Sequence, residues 1–428
     1  MGLTSKLEKL KFKDSGDHEH SNKDLASADD TDDIDEMDNE GQSILMGIIA
    51  QLRPGMDLSK ITLPTFILEK KSMLERITNF FQIPELLLAA NQTENDLDRF
   101  IQILAFYLAS WHIAPKAVKK PLNPVLGESF NCYWDNLPNN HSAYYVSEQT
   151  SHHPPKSSYF YMIPEAKIRI DGILIPKSRF LGNSSAAIME GWTHLTLGQH
   201  DEVYEMNQPN VYCRGILFGK LKTELGDHMI VKCQKTGYEA DIEFKTKGFI
   251  SGTYDAIEGV VRKIGASEEL FHISGKWNDV MDIKNVKTGK KVVLVDTKQI
   301  IPVKPKVRPL AEQGGYESRK LWKPTIDALA ERDHELATQE KFNVENEQRI
   351  LAKKRADDGV EFSPKYFRAV KESETKLSDL EYIIYKNFNL NDDANKLKQD
   401  LLTIAPILPG QNFNEKFEIP AWKKHESN

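Results

Sequence analysis

Apolar residues recur at helical spacing over residues 94–111, where Leu97, Phe100, Ile101, Leu104 and Leu108 share one face, and residues 70–81 show the same period. From about residue 144 to 297 the texture changes. Runs such as Lys167-Ile168-Arg169-Ile170-Asp171, Glu239-Ala240-Asp241-Ile242-Glu243-Phe244 and Lys290-Lys291-Val292-Val293-Leu294-Val295 read as strands. Turn signals recur between strands, among them Leu181-Gly182-Asn183, Lys235-Thr236-Gly237 and Lys287-Thr288-Gly289. No long helical pattern intervenes, so this is a meandering antiparallel sheet and not an α/β arrangement. So many strands are expected to curl into a closed barrel. After a proline-rich crossing at 301–309, residues 316–356 return to long helical patterns, and no repeat of fixed period is found. The expected fold is therefore α+β, with a large antiparallel β-barrel at 116–300 between helical parts at 61–115 and 301–428.

Residues 43–52 stand apart. Ser43 suits an N-cap, and Ile44, Leu45, Ile48, Ile49 and Leu52 make the segment apolar almost all round. The plain reading is a core helix; the other is a cover for something apolar, ending at Arg53-Pro54-Gly55. No run approaches the roughly 18 apolar residues that cross a bilayer, and the first residues lack the apolar core of a secretory signal. Three scattered cysteines are too few for a disulfide framework or a zinc site. The chain reads as a cytosolic protein.

Net charge is −7, yet the body is almost neutral. Residues 1–40 hold 13 acids against 5 lysines, eight of the acids within 29–40, whereas the remainder has 50 acids against 51 bases. Such a run is ordinarily a solvated, disordered tail. Near a membrane it would also be repelled by anionic lipid, which limits residence on a charged bilayer.

The densest chemistry lies in Glu148-Gln149-Thr150-Ser151-His152-His153-Pro154-Pro155, two adjacent imidazoles between hydroxyls and a diproline. Neighbouring residues on a strand point to opposite faces, so a ligand using both histidines needs a strand end or turn, which the prolines supply. From the residues alone, a structural turn with satisfied histidines and an anion site both remain open. Two further strings follow the same order along the chain: Lys120-Pro121-Leu122-Asn123-Pro124-Val125-Leu126-Gly127-Glu128 and Glu317-Ser318-Arg319-Lys320-Leu321-Trp322.

Together these three strings resemble the motifs of the oxysterol-binding-protein-related lipid-transfer family, and the resemblance runs from about Leu52 to Ala421. It implies a barrel enclosing a lipid tunnel, residues 41–60 as lid helix and hinge, and residues 61–428 as the transfer domain. Lys341, Glu345 and Arg349 are spaced i, i+4, i+8, which by itself suggests an exposed ion-pair ladder. In the family such a set lies at the tunnel mouth with the motif Lys, Asn and two His. The resemblance thus implies a phosphatidylinositol 4-phosphate head-group site of Lys120, Asn123, His152, His153, Lys341, Glu345 and Arg349.

The stretches Leu63-Pro64-Thr65-Phe66-Ile67-Leu68-Glu69-Lys70-Lys71 and Pro176-Lys177-Ser178-Arg179-Phe180-Leu181-Gly182-Asn183-Ser184-Ser185 are similar to the fungal subgroup carrying phosphatidylserine against phosphatidylinositol 4-phosphate. That implies contacts to the serine lipid from Leu63, Thr65, Ile67 and Ser178, with Lys120 and Asn123 shared. On sequence alone residues 63–68 are simply an apolar strand. Extracting a two-chain lipid exposes on the order of 30 methylenes at about 0.8 kcal/mol each, which only a closed apolar cavity offsets.

The expected partners are the two lipids, transient contact with membranes, and a tethering protein at endoplasmic reticulum–plasma membrane contacts, with the chain as a monomer. Sterol exchange and a lipid sensor regulating a protein partner are the alternatives. Enzymatic readings fare poorly: there is no Gly-x-Ser-x-Gly elbow, and Gly215-Ile216-Leu217-Phe218-Gly219-Lys220 is one residue short of a P-loop. No cofactor, metal or nucleic acid is called for.

Overall fold

The computed structural model describes residues 53–56, 65–114, 118–216, 221–248, 252–411 and 423–424. The expected acidic tail, the lid residues Ile44, Leu45, Ile48, Ile49 and Leu52, and Leu63 lie outside them. A 3-10 turn, Thr65–Ile67, leads into strand β1 (Leu68–Ser72), short helix α1 (Met73–Arg76) and a second 3-10 turn, Ile77–Phe81. The helical spacing at 70–81 and the strand expected at 63–68 are thus displaced. The strand starts at Leu68 and ends where the Ser72 hydroxyl accepts from the Leu74 N–H and caps α1.

Helices α2 (Pro84–Asn91) and α3 (Asp96–Ser110) follow. Asn95 caps α3 by accepting from the Asp98 N–H at 3.0 Å, and Asp96 and Asp98 favour its positive end. Phe100, Ile101, Leu104 and Leu108 are buried on it, as their spacing predicts.

Strand β2 (Lys120–Leu122) pairs in parallel with β1, Leu68 beside Lys120. The main sheet then runs through β3 (Ser129–Leu137), β4 (His141–His152), β5 (Pro155–Ile163), β6 (Ile168–Phe180), β7 (Ser184–Glu190), β8 (Thr193–Leu197), β9 (Glu202–Met206) and β10 (Asn210–Arg214). It continues as a meander of β11 (Lys222–Cys233), β12 (Tyr238–Lys245), β13 (Ala256–Lys263), β14 (Glu269–Lys276), β15 (Val280–Asn285) and β16 (Lys291–Asp296). β6 pairs with β8 along its first half and with β7 along its second. The turns at 181–183, 235–237 and 287–289 fall between strands, as their residues predict.

The closed barrel is not formed. The 14-stranded sheet runs from β16 to β3 along a path of 12 strands, with β8 and β9 off it, and stays open. Closure would require the two edges to bond each other, but another part of the chain occupies the β3 edge. At β3, Tyr133 exchanges backbone hydrogen bonds with Lys306, Ser129 N–H donates to the Tyr316 carbonyl, and Trp134 Nε1 donates to the Val303 carbonyl at 2.7 Å. At the other end β16 packs on α3. The proline-rich crossing therefore covers the edge that a barrel would have paired.

Two cores flank β4 and β5. Tyr145, Tyr159 and Tyr161 face the helices, with Phe81 stacked on Tyr161 at 4.6 Å between centroids. Tyr144, Val146, Phe160 and Met162 face the opposite way, onto Tyr366, Phe367, Phe388, Leu397 and Leu401 of the C-terminal part. That part contains α4 (Ser318–Leu321), α5 (Lys323–Ala330), the long α6 (His334–Asp358) and α7 (Ala394–Leu402). Asp333 caps α6 and Gly359, at φ 62°, ends it. Arg53-Pro54-Gly55-Met56 joins the end of β6: Gly55 N–H donates to the Phe180 carbonyl and Phe180 N–H to that of Met56. Gly55 has φ 89°, which an L side chain would resist.

Candidate functional site

The three motif strings meet at one place, held by buried carboxylates. Glu128 accepts from the Ser318 hydroxyl at 2.7 Å, Trp322 Nε1 at 2.9 Å and the Val125 N–H at 3.0 Å. Burial raises its pKa against these bonds. Gln149 N–H donates to the Glu128 carbonyl, and Gly127 N–H to the Gln149 carbonyl. Glu148 accepts from the Lys365 and Tyr366 N–H groups at 2.7 and 2.8 Å. Burial pushes its carboxyl up to about 7, while Lys365 is brought down to about 8 by the same cause. The motif glutamates are therefore scaffold, and beneath them Leu68, Leu122, Val125 and Trp322 form a small core with α5 and α6.

On this scaffold β4 and β5 form a hairpin whose turn is His153-Pro154, with His152 opposite Pro155 and the Ser151 hydroxyl donating to the Pro154 carbonyl at 2.8 Å. The two imidazoles meet edge to face, 4.5 Å between centroids. His153 is exposed; His152 is half-buried, and its Nδ1 is a buried atom with no hydrogen-bond partner among the described residues. Its pKa is driven down to about 4, first by desolvation and then by His153, against the opposing pull of Glu345 and the nearby Pro124 carbonyl.

Helix α6 supplies the facing wall. Lys341 Nζ lies 2.5 Å from Glu345 Oε1, both partly buried. Lys120 is open to water in its recess yet surrounded by protein, so desolvation lowers its pKa, with Lys341 lowering it further and Glu345 opposing. Glu345 thus acts on Lys120 and on His152 and pairs with Lys341. Asn123 is exposed on the same loop. Arg349 is exposed and lies over the Phe342 ring at 5.3 Å, apart from the Lys341–Glu345 pair.

One residue that spacing could not signal ties the parts together. Gln348 Oε1 accepts the Leu126 N–H at 2.5 Å, and its Nε2 lies 2.8 Å from His152 Nε2. It lies three residues beyond Glu345 on α6, and its partners come from two other motifs.

The expected serine-lipid residues are less concentrated. Thr65 is buried and its hydroxyl lies 3.3 Å from the His334 carbonyl at the start of α6, while half-buried Ile67 precedes Leu68, the partner of Lys120. Ser178 sits on β6 opposite Ala187, two residues before the segment that pairs with Met56. No hydrogen bond among the described residues links it to the cationic cluster. A cavity of about 620 Å³ opens over the first turns of α6, lined by Asp333, Glu335, Leu336, Thr338 and Gln339; two carboxylates and no cation make it unsuited to an anion. Among the described residues no group of three or more His, Cys, Asp or Glu is placed to hold a metal, and no helix is long and apolar enough to cross a membrane.

The sequence matches the family description "Oxysterol-binding protein" over residues 47–328 and 322–393. The chain belongs to the oxysterol-binding protein family. Among relatives, it is 75% identical over 431 residues to oxysterol-binding protein-like protein OBPa of Candida albicans, covering 100% of each. It is 61% identical to oxysterol-binding protein homolog 7 of Saccharomyces cerevisiae, covering 90% of this chain and 88% of that protein. For homolog 6 of the same yeast the identity is 60%, over 93% and 89%. In fold it is similar to the Osh1 ORD domain solved with cholesterol, TM-score 0.69 at 22% identity, over 85% of this chain and 90% of that one. The Osh3 ORD of Saccharomyces cerevisiae, solved with PI(4)P, matches with TM-score 0.59 at 20% identity, over 84% and 92%. The likeness to these two solved domains is one of fold.

Proposed function

We propose that the chain is a cytosolic lipid-transfer protein that exchanges phosphatidylserine for phosphatidylinositol 4-phosphate between membranes, one lipid at a time. The observation that carries this reading is the gathering of Lys120, His152, Lys341 and Glu345 from three separate elements, with a buried imidazole nitrogen left unmatched. A phosphorylated inositol supplies what that arrangement lacks: phosphate oxygens for two ammonium groups and two imidazoles, and hydroxyls for Glu345. Asn123 and Arg349, both exposed nearby in sequence, would swing in when the head group arrives.

The serine lipid would use the segment beside Lys120, with Leu63, Thr65 and Ile67, and Ser178 on β6. The identity of 60–61% to the two yeast homologs supports this subgroup. Both lipids then compete for Lys120 and Asn123, so a gradient of one drives the other. Residues 41–60 would act as lid and hinge, residues 1–40 as a charged tail, and residues 61–428 as the transfer domain. The protein would work peripherally at endoplasmic reticulum–plasma membrane contacts, held there by a tethering partner.

The test is extraction from vesicles. His152→Ala with His153→Ala should lower phosphoinositide extraction at least about a hundredfold, from two lost charge-assisted bonds, and spare the serine lipid. Equal loss of both would sink the assignment. Leu63→Asp should do the reverse, and a sterol found in the purified protein would overturn the cargo.

A further inference from the structure

We propose that Gln348 is a positioning residue that fixes His152 as a neutral imidazole with its proton on Nδ1, so that the hairpin offers the head group a hydrogen-bond donor whose presence does not vary with pH. This rests on the head-group reading above, but its physical basis stands without a lipid.

The argument starts from the amide. A side-chain carboxamide presents an oxygen acceptor and an NH₂ donor, and which way it points is set by its neighbours. Here the neighbour is a backbone N–H, which can only donate. Leu126 N–H reaches one end of the Gln348 amide at 2.5 Å, so that end is the oxygen. The other end is then NH₂, 2.8 Å from His152 Nε2. An NH₂ group has nothing to accept with, so His152 Nε2 must be the acceptor and carries no proton. In a neutral ring the proton is therefore on Nδ1, the buried nitrogen left without a partner. A doubly protonated ring would set N–H against N–H at 2.8 Å.

Desolvation acts first to keep the ring neutral. His153 on the hairpin also disfavours a charge on His152, whereas Glu345 on α6 and the Pro124 carbonyl favour one, and Glu345 is shared with Lys341 and Lys120. The depressed pKa, about 4, agrees with a neutral ring. The consequence for function is that His152 contributes a bond and not a charge. Its N–H would be oriented before the lipid arrives, so no proton need be taken up on loading or lost on release.

Two measurements on the full chain test this. The first is the ¹⁵N chemical shifts of the His152 ring, without lipid, from pH 5 to 8. The wild type should show protonated Nδ1 and unprotonated Nε2 throughout. Protonated Nε2, or titration near the ordinary value of about 6.5, overturns the proposal whether or not any lipid binds.

The second uses Gln348→Met, of similar length without an amide, and Gln348→Glu, whose second oxygen could accept from Nε2–H. In both, His152 should titrate upward from its wild-type value. Binding to vesicles containing phosphatidylinositol 4-phosphate is then read as the ratio of Gln348→Met to wild type. That ratio cancels titration of the phosphate and of His153. It should rise at least about fivefold from pH 7.5 to 5.5 as the freed imidazole gains charge beside an anion. A merely structural role for Gln348 would lower binding equally at every pH and leave the His152 shifts unchanged, which overturns the proposal. Correct shifts without phosphoinositide binding would instead refute the head-group reading and leave the tautomer intact.

Discussion

Strands β4 and β5 differ sharply from the β7–β10 pair in how they are buried. Every residue of β4 from Ala143 to Thr150 is buried, one face by the helical core and the other by the C-terminal core. All five residues of β10 are half-buried, and in β7 only Ala186 is buried. Neither strand contributes to those two cores. Two-sided packing fixes a hairpin in one geometry and lets its tip carry His152 and His153 at a defined distance from α6. The β7–β10 pair lacks that support. There a ligand can supply burial that the described residues do not, and Ser178 lies alongside on β6.

The comparison can be broken most directly by truncating its packed side. Tyr145 is buried, with its hydroxyl donating to the Leu74 carbonyl at 3.0 Å. Tyr145→Ala should lose about 3–5 kcal/mol, measured by denaturant unfolding. Val211→Ser on β10 should lose no more than about 1 kcal/mol while weakening extraction of the serine lipid. Equal costs would mean that the two regions are packed alike.

A smaller effect tests the scaffold through pH. Glu148 holds its proton to about pH 7 in the fold but releases it near the usual carboxyl value when unfolded. The folded state therefore binds the extra proton between about pH 4.5 and 7, and this group's contribution to stability falls as pH rises across that window. Glu148→Gln should remove that slope, read from urea midpoints at successive pH values. A slope unchanged by the substitution would show that another group carries it. The smallest stability effect belongs to Ser178→Ala, within about 0.5 kcal/mol. If Ser178 touches the serine lipid, its extraction should nonetheless fall several-fold; unaltered extraction would remove Ser178 from the site.

Much of the architecture was legible in the pattern of residues. The spacing of Phe100, Ile101, Leu104 and Leu108 gave a buried helix, and the Gly and Asn turns placed the boundaries between strands. Local periodicity and turn chemistry act over a few residues, so a linear sequence records them. The closed barrel failed for the complementary reason. Whether β16 meets β3 depends on where residues 303–317 run after the last strand, and no period in either strand encodes that. The shift at residues 63–81 is of the same kind. Pairing of Leu68 with Lys120 outweighed the helical spacing of the segment.

For the candidate site, the strings around Lys120, His152 and Ser318 announced themselves by composition, and their resemblance to a family told which cations to group. Sequence could not separate roles within them. Glu128 and Glu148 look as polar as the histidines, yet only the fold turns them into buried acceptors for groups on distant segments. Gln348 carried no signal at all, because a glutamine on a polar helix is ordinary until its two amide ends meet Leu126 and His152. The sequence by itself determined the elements, the family and the residue types available for an anion. The tertiary structure decided which edges stay open, which carboxylates are scaffold and which imidazole nitrogen meets Gln348, because these depend on contacts between residues far apart in sequence, such as Leu126 with Gln348, 222 positions apart.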